Sequence, residues 1–240
     1  MITPYKDNKS GKKEQVAQMF NNIARRYDFL NHFLSLGIDK IWRKKAIRNL
    51  HGIPSNPVIL DVATGTGDLA IAALKLNPEK VIGIDISLEM LNIGIEKIKK
   101  KKLDHIIELK KGDSENLEFE SNSFDGLTVA FGVRNYENLN KGLSEMYRVI
   151  KENGKLVVLE FSKPRAFPVK QIYNFYFRYI LPGIGKFISK DSSAYTYLPE
   201  SVNQFPERES FVTELEKVGF KNTTFETLSF GIATLYVAKK

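Results

Sequence analysis

Val58 to Asp85 reads VILDVATGTGDLAIAALKLNPEKVIGID, and this stretch decides the fold. Val58-Ile59-Leu60 is a short apolar run ending at Asp61; the chain then turns through Ala63-Thr64-Gly65-Thr66-Gly67, and the apolar spacing that follows is helical. Val81-Ile82-Gly83-Ile84 is a second apolar run with Asp85 at its carboxyl end. Strand, glycine turn, helix and strand make a β-α-β unit, which requires parallel strands and a right-handed crossover.

In such sheets ligands sit beyond the carboxyl ends of the strands, where N–H groups at a helix start and a carboxylate on the next strand face one crevice. An adenosine-containing cofactor fits there: Gly65 and Gly67 permit close backbone approach, and Asp85 accepts two hydrogen bonds from a ribose diol. Gly65 to Ala70 also satisfies the dinucleotide fingerprint GxGxxG/A, and a tight turn without a ligand is the plain alternative.

The 240 residues suffice for one α/β domain, 1–240. It divides into an N-terminal helical extension (1–57), a cofactor-binding core (58–162), a substrate-side insertion (163–209) and a terminal helix and hairpin (210–240). The absence of cysteine excludes disulfides, thiolate zinc sites and thiol nucleophiles, and agrees with a reducing cytoplasm. The three histidines are scattered, so no metal site is expected. Residues 1–14 are too polar for a signal peptide, and no apolar run reaches the roughly 20 residues that span a bilayer, so a soluble or peripheral protein is expected. The net charge of +8 is unevenly placed: residues 1–57 hold 11 Lys/Arg against 4 Asp/Glu, and Lys163 to Lys190 holds 6 against none.

Residues 1–13 read as a frayed end. Val16, Phe20, Ile23 and Tyr27 recur at helical steps; after Asn31 comes an apolar turn, Phe33 to Gly37, and then a second helix capped by Asp39. These helices either cover the crevice as a lid or pack against the sheet edge. A helix from Ser87 as N-cap to Lys100 follows, then a strand Ile106 to Lys110, a strand Phe124 to Phe131, a helix Asn138 to Ile150, and a strand Lys155 to Phe161 opened by Gly154. Lys163 to Lys190 has seven aromatics, and Pro168 suits a helix start there. A helix Ser210 to Val218 leads into strands Phe225 to Leu228 and Ala233 to Ala238, a terminal antiparallel hairpin.

The hairpin, together with Asp61-Val62-Ala63-Thr64-Gly65-Thr66-Gly67, resembles the class I S-adenosylmethionine-dependent methyltransferases and their D-x-G-x-G-x-G turn, with Ala63 standing for the first glycine. The fold implied is Rossmann-like, a mostly parallel seven-stranded sheet with N-terminal helices added. Further stretches resemble the UbiE/COQ5/MenG family of quinol C-methyltransferases: Phe20 to Asn31, Leu34 to Gly37, Trp42-Arg43, Phe131 to Asn135, Leu159 to Pro164, Tyr197 to Val202 and Phe205-Pro206. Asn21 stands where that family usually has Asp, and no role is assigned to it.

The resemblance implies S-adenosyl-L-methionine as cofactor, with contacts at Asp61, Gly65, Thr66, Gly67, Asp85, Asp113, Ser114 and the Ala130 backbone. It implies methyl transfer to a ring carbon of a polyprenyl quinol, demethylmenaquinol first and a benzoquinol as the alternative. Deprotonating a ring hydroxyl raises that carbon's nucleophilicity, so the site needs a base or an oxyanion-stabilising cation. Arg134 is expected to stabilise the oxyanion, Asn135 to hold a ring oxygen, and Tyr27 and Asp28 to relay the proton. A cytoplasmic enzyme is expected, with peripheral contact to the inner membrane face through the basic aromatic segment. A homodimer is left open, and no nucleic-acid partner is expected. The rivals are an RNA methyltransferase, which the pI near 9.4 favours and the missing Asn/Asp-Pro-Pro-aromatic motif disfavours, and a non-catalytic cofactor-binding protein.

Overall fold

The computed structural model describes residues 2–35, 37–180 and 193–240, without the side chains of 28–34, 177 and 178. Seven strands form one sheet: β1 (Val58–Val62), β2 (Lys80–Asp85), β3 (Ile107–Lys111), β4 (Phe124–Ala130), β5 (Ile150–Phe161), β6 (Lys221–Leu228) and β7 (Ala233–Lys239). Their order is β3-β2-β1-β4-β5-β7-β6. The first five are parallel, and β7 is antiparallel to both β5 and β6. Strand order reverses between β1 and β4, which places the ligand crevice of an open α/β sheet at their carboxyl ends.

Helices cover both faces, so the central strands are apolar throughout; Ile59, Leu60 and Leu127 are fully buried. One face packs against α2 (Ile38–Asn49), α3 (Asp68–Ala73) and α4 (Leu88–Lys100), through Ile47, Leu50, Leu69, Leu91 and Ile98. The other packs against α5 (Leu139–Val149) and α8 (Glu209–Lys217), through Leu143, Met146, Phe211 and Leu215. Above the strand ends lie α1 (Lys12–Leu34) and α7 (Ser193–Gln204), joined through Val16, Met19, Ile23, Tyr195 and Tyr197. Between β5 and α7 the chain forms α6 (Val169–Phe175), continued as a wider turn over Tyr176–Ile180.

Ser87 caps α4 as expected, its hydroxyl accepting from the Met90 N–H. Several expectations change. The first helix runs on to Leu34, and α2 begins after Gly37, whose left-handed φ of 75° ends the turn; Asp39 lies inside the first turn, where it pairs with Arg43 and accepts from the Ser35 hydroxyl. The N-terminal residues are not frayed: the Gln15 side chain accepts from the Tyr5 N–H and donates to the carbonyls of Asn8 and Ser10. α1 lies over the crevice, and α2 packs on one face of the sheet rather than against its edge. Asn21 on α1 has a structural part: its side-chain oxygen accepts from the Ser87 hydroxyl (2.7 Å) and the Glu89 N–H (3.2 Å), tying α1 to the start of α4. The sequence reading missed α7, because Pro199 inside it breaks the helical signature. Pairing of the fifth strand begins already at Ile150, with an irregularity before Gly126 and Lys155 meet.

Candidate functional site

At the carboxyl end of β1 the chain turns back under its own helix. Ala63, at φ 53°, and Gly65, at φ 57°, take the left-handed conformation that favours glycine. Ala63 is accommodated because Gly132 opposite carries no side chain; a Cβ there would lie 2.6 Å from that of Ala63. The Gly65 N–H donates to Asp85 Oδ2 and the Ser87 N–H to Oδ1, both at 2.8 Å, so β2 and the turn hold each other. Asp85 is 9% exposed, and burial raises its carboxyl above the ordinary range.

Gly65, Asp85, Asp113, Ser114, Ala130 and Asn135 line one crevice, roofed by Lys13, Val16, Phe20 and Tyr27 of α1. Asp113 accepts from the Glu115 N–H (2.9 Å) and pairs with Lys13 (2.7 Å). The buried Asn135 side-chain oxygen has no hydrogen-bond partner among the described residues. These groups fit an adenosyl amino acid: Asp85 for a ribose diol, Asp113 for an adenine amine, and the Asn135 oxygen as an acceptor for an ammonium.

Three of the expected cofactor residues lie elsewhere. Asp61 is 1% exposed beneath the turn, accepting from the hydroxyls of Thr64 (2.5 Å) and Thr128 (2.7 Å). Thr66 faces Lys97, whose ammonium donates to its hydroxyl at 3.1 Å; with Asp61 it lines a smaller neighbouring cleft. Gly67 stands before α3 with its missing side chain toward Leu109 and Ile98, where it serves packing. Asp61 lies within β1, where the hydroxyls of Thr64 and Thr128 hold it, while Thr66 and Gly67 lie where the turn enters α3; the cleft lined by Asp61 and Thr66 adjoins the crevice, sharing Ala63, Gly65, Ala130 and Phe131 with it.

Burial pushes the Asp61 carboxyl up to about 6, against the pull of its two hydroxyl donors. A carboxyl raised on folding contributes stability that is fully present below its unfolded value near 4 and is lost as pH rises through about 6. The midpoint of urea unfolding is therefore expected to rise from pH 7 to pH 5, with Asp61 supplying roughly 1 kcal/mol. Asp61→Asn should flatten that rise in part, since Asp85 and Glu160 shift in the same direction. An unchanged pH profile in the variant would contradict the assignment.

Beside the crevice lies a mostly apolar cavity of about 380 Å³. It is lined by Met19, Phe20, Ile23 and Tyr27 of α1, Trp42 of α2, Ile172, Tyr173 and Tyr176 of the aromatic segment, and Tyr195, Tyr197 and Leu198 of α7. Phe131, which lines both spaces, is held at φ 58° and stacks on Phe161 at 4.4 Å. A bulky residue in that region is strained, and such strain concentrates at functional sites.

Arg134 is the charged side chain among the cavity's described lining residues. Its Nη1 donates to Glu160 Oε1 (2.7 Å) and to the Phe131 carbonyl, while its buried Nε has no hydrogen-bond partner among the described residues. Glu160 is fully buried, and burial raises its carboxyl against the pull of Arg134. The ion pair and an Nε without a hydrogen-bond partner among the described residues thus coexist in one side chain, which lines both the cavity and a small polar cleft. Asn135, expected beside the acceptor, instead faces the cofactor crevice; Tyr27 lines both spaces, and the Asp28 side chain lies outside the described residues. The sequence reading missed Glu160, Phe131 and Lys13; an acid at the end of the apolar run Leu156 to Leu159 was the available signal for Glu160.

A family model, the ubiE/COQ5 methyltransferase family, matches residues 8–240. The chain is 52% identical to a demethylmenaquinone methyltransferase of Bacteroides fragilis, over all of this chain and 97% of that protein. It is 46% identical to a ubiquinone/menaquinone biosynthesis C-methyltransferase of Geotalea daltonii, over 95% of this chain and 97% of that one. Among solved structures, an S-adenosylmethionine-dependent methyltransferase of Thermotoga maritima superposes with a TM-score of 0.65 at 19% identity, over 93% of this chain and 99% of that one, which bears on the fold alone.

Proposed function

The chain belongs to the ubiE/COQ5 methyltransferase family, and from that premise we propose that it methylates a ring carbon of a polyprenyl quinol, demethylmenaquinol giving menaquinol. It is an S-adenosylmethionine-dependent methyltransferase. The observation that carries the acceptor assignment is the mostly apolar cavity beside the crevice, with Arg134 in its lining. A naphthoquinol ring is flat and apolar with polar atoms only at its oxygens, and this lining matches it.

S-adenosylmethionine supplies an electrophilic methyl group. The protein's part is to hold the two reactants and to favour the ionised quinol. Asp85 and Asp113 fix the ribose and adenine, and the Asn135 oxygen takes the ammonium. Arg134 presents its Nε–H to the developing oxyanion, where a donor fixed in advance stabilises charge as it forms. Tyr27, between the two spaces, orients the ring, and α1 acts as the lid. Methyl transfer to short-chain demethylmenaquinol, with the benzoquinol counterpart alongside, tests the proposal; turnover of neither would defeat it.

No helix among the described residues is long and apolar enough to cross a membrane. Peripheral contact with an anionic bilayer is the second part of the proposal. Phe167 (81% exposed), Ile172, Phe175, Tyr179, Ile41 and Phe230 (82% exposed) present apolar surface, and several are themselves cavity residues or their chain neighbours. Lys40, Lys44 and Lys170 are exposed among them, whereas the Arg178 side chain and Lys186 lie outside the described residues. Inserting one Phe is worth roughly 1.5 to 3 kcal/mol. Phe167→Ser with Phe230→Ser is therefore expected to cut co-sedimentation with anionic vesicles at least tenfold without affecting cofactor affinity. A wild type that ignores such vesicles at low salt would remove this part.

A further inference from the structure

Tyr197 on α7 is 2% exposed and packs with Val16, Met19 and Ile23 of α1. Its hydroxyl oxygen is buried and has no hydrogen-bond partner among the described residues. Leaving such a hydroxyl unmet costs on the order of 1–3 kcal/mol, a cost that phenylalanine would avoid. Tyr197 lines the apolar cavity on one side, and on the other a small polar cleft with Lys12, Glu137 and Gln204; Arg134 is the other residue shared by both. Two buried polar atoms without a hydrogen-bond partner among the described residues, Arg134 Nε and the Tyr197 hydroxyl, therefore belong to the two residues that line both spaces.

We infer that the Tyr197 hydroxyl hydrogen-bonds a ring oxygen of the quinol and so is a further catalytic residue, an inference that rests on the acceptor proposed above. The hydroxyl proton departs, so negative charge builds on a ring oxygen. The new ring carbon–methyl bond forms as the C–S bond breaks with its electron pair left on sulfur. Loss of the proton from that ring carbon restores aromaticity as the oxygen takes a proton back, so one proton is released net. An oxygen anion accepts more than one hydrogen bond, and each donor fixed in advance contributes to the rate. Burial pushes the Tyr197 phenol up to about 12, so it remains a donor at neutral pH.

Tyr197→Phe removes the hydroxyl and keeps the packing. Expected are a 10- to 100-fold fall in kcat/KM for short-chain demethylmenaquinol, weaker quinol binding, and an unliganded melting temperature equal to or above that of the wild type. Binding is read from the fluorescence of Trp42, which is the one tryptophan and lines the cavity. Wild-type kcat/KM and quinol affinity in the variant overturn the inference. So does lost activity accompanied by a melting temperature several degrees lower, because that marks a structural hydroxyl. A wild type that binds the quinol without methylating it overturns the acceptor proposal instead, and the Trp42 titration of the variant still tests the contact.

Discussion

Arg134→Ala is expected to destabilise the protein by about 3–5 kcal/mol and to reduce kcat by roughly a hundredfold or more. The first effect follows from Glu160, which is fully buried and would lose the cation that its carboxylate meets at 2.7 Å. The second follows from losing a donor fixed at the cavity wall, a loss on the order of 10² to 10³ in rate where a developing oxyanion is concerned. The effects separate in the double variant Arg134→Met, Glu160→Gln, which removes both charges at similar volume. Its unfolding midpoint should return most of the way to wild type while its kcat stays low. Full turnover in the double variant would confine Arg134 to a structural role, and an unchanged midpoint in Arg134→Ala would contradict the ion pair.

Asp85→Ala is expected to weaken S-adenosylmethionine binding by about 1.5 to 3 kcal/mol, roughly 10- to 150-fold in Kd, the scale of hydrogen bonds to a charged group. Part of the loss would come from the turn, since Asp85 also accepts from the N–H groups of Gly65 and Ser87. Asp85→Asn keeps an acceptor oxygen and should fall between alanine and wild type. Because burial raises this carboxyl, wild-type affinity should also begin to fall at a pH above the ordinary carboxylate range, as the acid takes up its proton. Calorimetry across pH checks both, and an alanine variant that binds as tightly as wild type removes Asp85 from the site.

Local signals carried much of this protein. The β-α-β unit at Val58 to Asp85, the Ser87 cap and the terminal hairpin were legible because each depends on apolar periodicity or turn chemistry within a few residues. Asp85, Asp113 and Ala130 were legible too, because residues at the carboxyl ends of parallel strands reach one crevice whatever covers it. The partners of Asp61 and Thr66 were not, since they depend on how Thr64 and Thr128 meet beneath the turn and how the chain beyond Gly65 runs into α3 beside Lys97. Nor was Asn21, whose place on the cap of α4 exists only once α1 lies over the crevice.

By itself the sequence determined the sheet, the cofactor crevice and, through its motifs, the family. Only the tertiary structure decided which wall each polar group serves. Arg134 and Asn135 are adjacent in the chain, yet the short helical turn Val133–Asn135 sends one toward the apolar cavity and the other toward the crevice. Glu160 and Tyr197, 26 and 63 residues beyond Arg134 in the chain, meet its surroundings only through the sheet and α7. Hydrogen bonds and burial act across space between distant residues, and a pattern of neighbours along the chain does not encode those pairings.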